Sequence, residues 1–460
     1  TGGIESNGAT VLINMTGNGS FINTKGDEKD DWAIFKRKAI ESNLGANVTV
    51  NTSGNDSFIR GDLEADKGTI NVNASGKRFK LNRSYDYFPA PYLITSEQED
   101  ARINVDISGD DSQVEGKIRA YSGGTLNLTM SGNHAVYSGG ISTTPEYESW
   151  YDPRNDKANV HAIFSGKNAS VTGDIEAIAD HGTITTEISG ENSTYKGNVS
   201  STGTMIGHSE NNSPMVYTIY DGAAVNLTLD GAHTSQTGNL SAEGNNILNA
   251  SYIGTGSSLT GNADNKGLMN LTFDNQSQMT GNMVNDTKKY EDHKGTTFAG
   301  QLKANLNNGS RWKGNLSTES GSTAVGLNNH SFWLGDLSSK VGTTTINLNN
   351  GSVWNGSSSG NGDINLAGNS VWNLTKDSTA QSVNPDGSSV ISLSGAAKKL
   401  DTQKLGGTGG TFLMDLKYQD NDVNTYRDSG DYIIAHGGSG SAYNVSLTSG
   451  SSVNGMTDGS

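Results

Sequence analysis

Short runs of alternating apolar and polar residues, each closed by a glycine, recur along the chain. "ANVTVNTSGNDSFIRGDLEA" from Ala46, "ANVHAIFSGKNASVTGDIEA" from Ala158 and "GTITTEISGENSTYKGNVSS" from Gly182 show the unit; "GLMNLTFDNQSQMTGNMVND" from Gly267 and "GTTTINLNNGSVWNGSSSG" from Gly342 repeat it. The alternation, as at Val48 and Val50 or at Leu126, Leu128 and Met130, has the period of two of a half-buried strand. Each unit reads as a strand, a Gly turn, a short second strand, a Gly-Asp or Gly-Asn corner and a third strand. The corner glycine recurs at Gly173 and Gly197, at Gly238, Gly261 and Gly281, and at Gly314, Gly335 and Gly356, spacings of 20–24 residues within each group. Three short strands in such a period make one coil of a solenoid; the fixed Leu ladder of a leucine-rich repeat is absent. The predicted fold is all-β: a right-handed, three-sided parallel β-helix over 1–400 with an aliphatic interior. Gly supplies its positive-φ corners, and Asn and Asp tolerate them.

Five segments break the period, near 24–44, 82–100, 143–157, 203–221 and 285–299. All five are expected at the joint between the last strand of one coil and the first strand of the next, which would crowd them on one edge. In the first, Trp32, Phe35 and Ala39 share a face of a predicted short helix. Segment 401–460 has a different texture, with longer alternating strands predicted around Phe412, Met414, Leu416, Tyr432, Ile434, Val445 and Leu447. It is expected to cap the solenoid, whose open edge would otherwise invite aggregation.

Composition narrows the functional classes. Only 32% of the 460 residues are hydrophobic and 60 are Gly, as suits a thin coil with little interior. A formal charge of −16 without a basic block argues against nucleic acid, which demands clustered Lys and Arg. The absence of Cys suits a bacterial exported chain that stays threadable. No apolar run approaches the ~18 residues of a membrane span. Starting at Thr1 without an initiator Met, the chain reads as a processed fragment.

The long excursions carry the first candidate site: Tyr85, Asp86, Tyr87, Phe88 and Tyr92; Tyr147, Trp150, Tyr151 and Asp152; Tyr217 and Tyr220. Aromatic faces stack on sugar rings, carboxylates bond hydroxyls, and long loops often carry function. The second candidate is a corner ladder of Asp62, Asp174, Asn198, Asn239, Asn262, Asn282, Asn315 and Asp336, read mainly as structural and alternatively as a polar groove. Arg60-Gly61-Asp62 spells an integrin-type tripeptide but coincides with the ordinary corner element. Three basic clusters (Lys36, Arg37, Lys38; Lys77, Arg78, Lys80, Arg83; Lys288, Lys289, Lys294) read as solvated faces before anionic-glycan patches. Catalysis has little support: Asp110-Asp111 sits on a turn, the eight His form no HExxH, and no metal or cofactor motif is present.

The rungs "GTINVNASG" and "GTLNLTMSG", with "GGTFLMDL" and "SGDYIIAHGGSGSAYNVSL" near the end, resemble the passenger of an AIDA-type autotransporter adhesin of the UpaB-like branch. The terminal motif resembles the autochaperone segment that precedes the outer-membrane barrel in that family. The resemblance implies export through the chain's own β-barrel, folding from the C-terminus outward and display on the bacterial cell surface. The expected function is adhesion to host extracellular-matrix protein such as fibronectin, or to glycans such as glycosaminoglycans. The alternatives are homotypic association leading to aggregation and biofilm, and a polysaccharide-degrading β-helix enzyme.

Overall fold

The computed structural model describes residues 3–23, 38–83, 92–143, 157–178, 182–208, 216–220, 222–290, 294–416, 430–438, 441–449 and 451. They divide into two compact units, one of Thr1–Thr260 with Lys289–Phe298, the other of Gly261–Lys288 with Ala299–Ser460. Among the described residues there is no helix, and long parallel arrays of strands fill both units.

In much of the first unit three strands make each repeat and each pairs in parallel with its counterpart one repeat later; elsewhere the third strand and the next first strand run on as one, as in Leu240–Tyr252 and Leu337–Leu348. In the first unit, Thr69–Ala74, Lys80–Asn82 and Tyr92–Glu97 pair with Arg102–Ile107, Gln113–Glu115 and Lys117–Tyr121. Those pair in turn with Thr125–Met130, Val136–Ser138 and Ile141–Ser142. The period-two alternation therefore aligns vertically. On the first strands Val48, Ile70, Ile103, Leu126, Val160, Ile184 and Val225 form one buried column. Full burial of such a side chain contributes about 1.5–3 kcal/mol, so a few inward columns support a chain of low overall apolarity.

The interior is more aromatic than the pattern predicts. In the second unit the inward column of the second strands runs Trp312, Trp333, Trp354 and Trp372, all at most 1% exposed. Their rings stack with centroids 4.7, 4.6 and 4.8 Å apart, the spacing of neighbouring strands. A buried indole needs an acceptor, and each Nε1–H donates to the carbonyl of a corner glycine one coil back: Gly281, Gly314, Gly335 and Gly356. In the first unit the equivalent column holds Tyr137, Val171 and Tyr195. The two hydroxyls donate to the carbonyls of Gly140 and Asn198.

The corner glycines Gly173, Gly238, Gly261, Gly281, Gly314 and Gly335 adopt positive φ as expected, whereas glycine at the turns has another role. Turn glycines Gly54, Gly76, Gly109, Gly132 and Gly166 do not adopt positive φ; Asp56, Arg78, Asp111, His134 and Asn168, two residues on, do. A Cβ on any of these glycines would instead fall on the carbonyl oxygen of its predecessor one coil back, at Gly17, Gly54, Gly76, Gly109 and Gly132. Close approach of neighbouring coils excludes the side chain there.

Strand order also corrects the excursions. Ala39 is not helical: it is a buried residue of the strand Lys38–Asn43, which pairs with Ile4–Asn7 and Asp62–Asp66. Tyr92–Glu97 is likewise a rung strand. Segments 24–37 and 84–91 thus lie between second and third strands, whereas the other three interruptions lie between a third strand and the next first strand. They leave from two corners, because a strand that continues the vertical register cannot belong to a loop. Within 203–221, Thr204–His208 pairs antiparallel with Val216–Tyr220, placing Tyr217 opposite Gly207 and Tyr220 opposite Thr204.

Near the end, Lys399–Leu405 and Thr411–Met414 pair in parallel with Tyr432–Ala435 and Asn444–Leu447. These strands have 7, 4, 4 and 4 residues, so the expected lengthening is not found, and this region continues the same array.

Candidate functional site

The corner ladder is built by its own side chains. In the first unit the Asn198 N–H donates to Asp174 Oδ1 at 2.8 Å, and the Asn239 N–H to Asn198 Oδ1 at 2.9 Å. In the second unit the amides of Asn282, Asn315, Asp336 and Ser357 donate to the Oδ1 atoms of Asn262, Asn282, Asn315 and Asp336, at 2.8–2.9 Å. Each Asx oxygen satisfies the amide of the following corner, so the oxygens that could have formed an open polar groove are engaged inside the fold. Asp336 also meets Lys376 Nζ at 2.9 Å. Burial opposes its ionisation, yet the Ser357 and Lys376 bonds prevail and hold its carboxyl below the usual range.

The ladder is interrupted in the first unit. Strand register places Asp62, Tyr92, Lys117, Gly140 and Asp174 at the corner of successive third strands. Where neighbouring coils present Asp or Asn, three coils present a phenol, an ammonium and no side chain. A groove of about 410 Å³ opens there, lined by Tyr92, Lys117, Ser138, Gly139, Gly140, Ile141, Ser142, Thr172, Gly173, Asp174 and Glu176. It brings together one residue of the expected aromatic set, Tyr92, and one of the expected ladder, Asp174.

The face beside this groove is covered. Thr95, Arg119 and Ser142 stand in one outward row, register partners across three strands, yet are only 7%, 6% and 6% exposed. The Arg119 guanidinium lies between two rings, 4.1 Å from the Tyr92 centroid and 4.4 Å from that of Tyr121. Such cation–π contacts contribute roughly 0.5–2 kcal/mol each, so the groove wall Tyr92 is held firmly. Behind Tyr121 lies Glu97, aligned with Asp66 on the other side. Burial raises the Glu97 pKa; Glu64 and Asp66 push the same way, against a bond from Tyr121 and the charge of Arg119.

The other candidates find partners within the fold. Asp62 of the tripeptide meets Arg83 Nε at 3.2 Å, and Arg60 lies over the Phe58 ring. Asp110 accepts the Asn133 N–H at 3.0 Å and pairs with Lys77, while Asp111 faces His134. In two of the three basic clusters described members are paired: Lys38 with Glu41 and Glu64, Lys77 with Asp110, Arg78 with Asp56, and Arg83 with Asp62. Tyr290, beside the third, is 5% exposed and edge-on to Phe298. Among the described residues no three His, Asp or Glu side chains form a metal site. Tyr85, Asp86, Tyr87, Phe88, Tyr147, Trp150, Tyr151 and Asp152 lie outside the described residues.

Lys117, Arg119, Gly140 and Glu176 were not singled out by the sequence reading. A signal was present: Gly116-Lys117 and Gly139-Gly140 break the Gly-Asx corner in two successive units. No family model matches this chain, and no curated protein sequence matches it.

Proposed function

We propose that the chain is the surface-displayed passenger of an AIDA-type autotransporter adhesin. In this reading it winds as a right-handed, three-sided β-helix and holds a host extracellular-matrix ligand, a glycan chain first, in the groove of the first unit. The interrupted ladder carries the proposal. In a fold whose corner groups satisfy one another, these coils expose a clamped ring, an ammonium and a carboxylate on one concave surface. That set suits a sugar, with Tyr92 as stacking platform and Lys117, Ser138, Thr172 and Glu176 as hydroxyl partners. No catalytic step belongs to the reading.

A glycan and matrix-protein panel probed with the intact chain tests it. Tyr92→Ala should weaken the captured ligand at least about tenfold, since truncating an aromatic anchor often costs ~2 kcal/mol. Unchanged capture would remove the groove from the proposal. Homotypic association is a second reading, favoured by a half-buried outward stripe of Phe332, Val353, Val371 and Val390 on the second unit. Sedimentation of the purified chain as a monomer at tens of micromolar would count against it.

A further inference from the structure

The outward face of the second strands changes character between the units. In the first unit the register positions Ser170, Thr194, Ser235 and Ser258 are small and polar. In the second unit the equivalent column runs Arg311, Phe332, Val353, Val371 and Val390, one residue per coil. Its four apolar members are half-buried, and Leu334, two residues along the strand from Phe332, is 42% exposed. A single outward valine is ordinary strand composition. Four coils without a polar member are not, in a chain only 32% hydrophobic. The stripe also starts abruptly, with Arg311 in its own column and Lys313 in the next, both exposed. Neither makes an ion pair among the described residues, unlike Lys340, Lys376 and Lys399 of the same unit. Positive charge and apolar surface thus meet end to end. At one strand spacing per coil, Arg311 and Val390 stand about 19 Å apart.

We propose that this stripe binds a free long-chain fatty acid, its acyl chain laid along Phe332, Val353, Val371 and Val390 and its carboxylate on Arg311 and Lys313. The inference is independent of the groove reading and gives the stripe an occupant other than a second copy of the chain. The length fits one extended acyl chain, and the planar guanidinium of Arg311 matches a carboxylate through two parallel N–H donors. Burial of methylenes against the half-buried valines supplies the apolar part of the affinity. A bilayer is set aside because the stripe is one residue wide, whereas lodging in a lipid interface takes a broad apolar face. A second copy is set aside because neither column, Arg311 to Thr411 or Lys313 to Leu413, holds an acid to receive the two cations.

The test uses the full chain and a brominated stearate, kept below its micelle concentration, as a quencher of indole fluorescence. Phe332, Val353 and Val371 each precede a stacked tryptophan, so bromine on the stripe lies one strand's thickness from Trp333, Trp354 and Trp372. The expected result is saturable quenching that plain stearate displaces, and that octanoate, covering less of the stripe, displaces at least about tenfold more weakly. Val353→Thr with Val371→Thr, near-isosteric changes at outward positions, should weaken binding at least about tenfold while the melting temperature stays near that of the parent. Arg311→Gln with Lys313→Gln should weaken it by a similar factor, and this pair decides should the threonine pair fail to fold. Absence of saturable quenching, or quenching undiminished in both pairs, would overturn the site. Undiminished binding by the glutamine pair alone would overturn the carboxylate contact. Capture of the chain by phosphatidylglycerol vesicles, or a sedimenting dimer, either of them lost in the threonine pair, would overturn the fatty acid in favour of a bilayer or of a second copy.

Discussion

The two units obey one repeat and treat it differently. In the second, the corner ladder runs from Asn262 to Ser357 without a gap, and four indoles repeat on successive inward positions. Two further amide ladders run beside them, through Asn307, Asn328 and Asn349 and through Asn308, Asn329 and Asn350. In the first unit the ladder breaks at Tyr92, Lys117 and Gly140, and burial stops alternating on Tyr92–Glu97 and Lys117–Tyr121. The contrast teaches how to read a solenoid. Where a column repeats, each group is its neighbour's hydrogen-bond or packing partner, and the column is structure. A rung that departs from its column releases groups that the fold no longer uses.

The largest expected effect attacks the second unit's regularity. Trp354→Ala removes the middle of the stack and frees the Gly335 carbonyl; it should cost about 3–5 kcal/mol and make the neighbouring coils protease-sensitive. Denaturant midpoints followed by fluorescence of the remaining indoles check this, and a cost below ~1 kcal/mol would mean that the stack contributes little. A glycine pair sharpens the contrast next. Gly173→Ala puts a Cβ on the Gly139 carbonyl at φ +125 and should cost about 2–4 kcal/mol. Gly140→Ala, one coil away, meets the Asp174 backbone oxygen at 3.2 Å and should cost less than about 1 kcal/mol. Similar losses for both would erase the distinction between a glycine that packing requires and one that it does not.

Smaller effects follow from titration. In the second unit, burial opposes ionisation of Asp386, but donors from Gly368, Ser389 and Ser388 prevail and hold its pKa at about 2. A depressed carboxyl adds stability above its unfolded pKa and loses it as pH falls through the folded one. Asp386→Ala should thus destabilise by about 1 kcal/mol at pH 7 and by progressively less between about pH 4 and pH 2, seen in melting curves. Glu97 in the first unit has the opposite sign. Its raised pKa favours the protonated form, so its contribution is present below the unfolded pKa and is lost as pH rises through the folded one. Glu97→Gln should therefore raise the melting temperature slightly at pH 7 and leave it unchanged near pH 4; a loss at pH 7 would show that the Tyr121 and Arg119 contacts outweigh burial.

The strands were legible in the sequence because a period of two reports local geometry, and the coil length because corner glycines mark it. Val48, Leu126 and Ile184 are buried as their alternation requires. The ladder from Asp174 to Asn239 was legible for the same reason, since each member is a short polar residue after a glycine. Trp312, Trp333, Trp354 and Trp372 were visible as residues, but their stacking depends on which positions of separate coils fall in register.

By itself the sequence determined the parallel repeat, its polar corners and the segments that interrupt it, because alternation and glycine spacing act over a few residues. Only the tertiary structure decided that Tyr92 is a rung residue, that the interruptions leave from two corners, and that Lys117 and Gly140 share a column with Asp174. Vertical register sums every insertion between one coil and the next, and a hydrogen bond from Asn198 to Asp174 spans 24 residues that no local pattern counts. The groove lies in that register, where Tyr92, Lys117 and Gly140 stand out only against the corner residues stacked beside them.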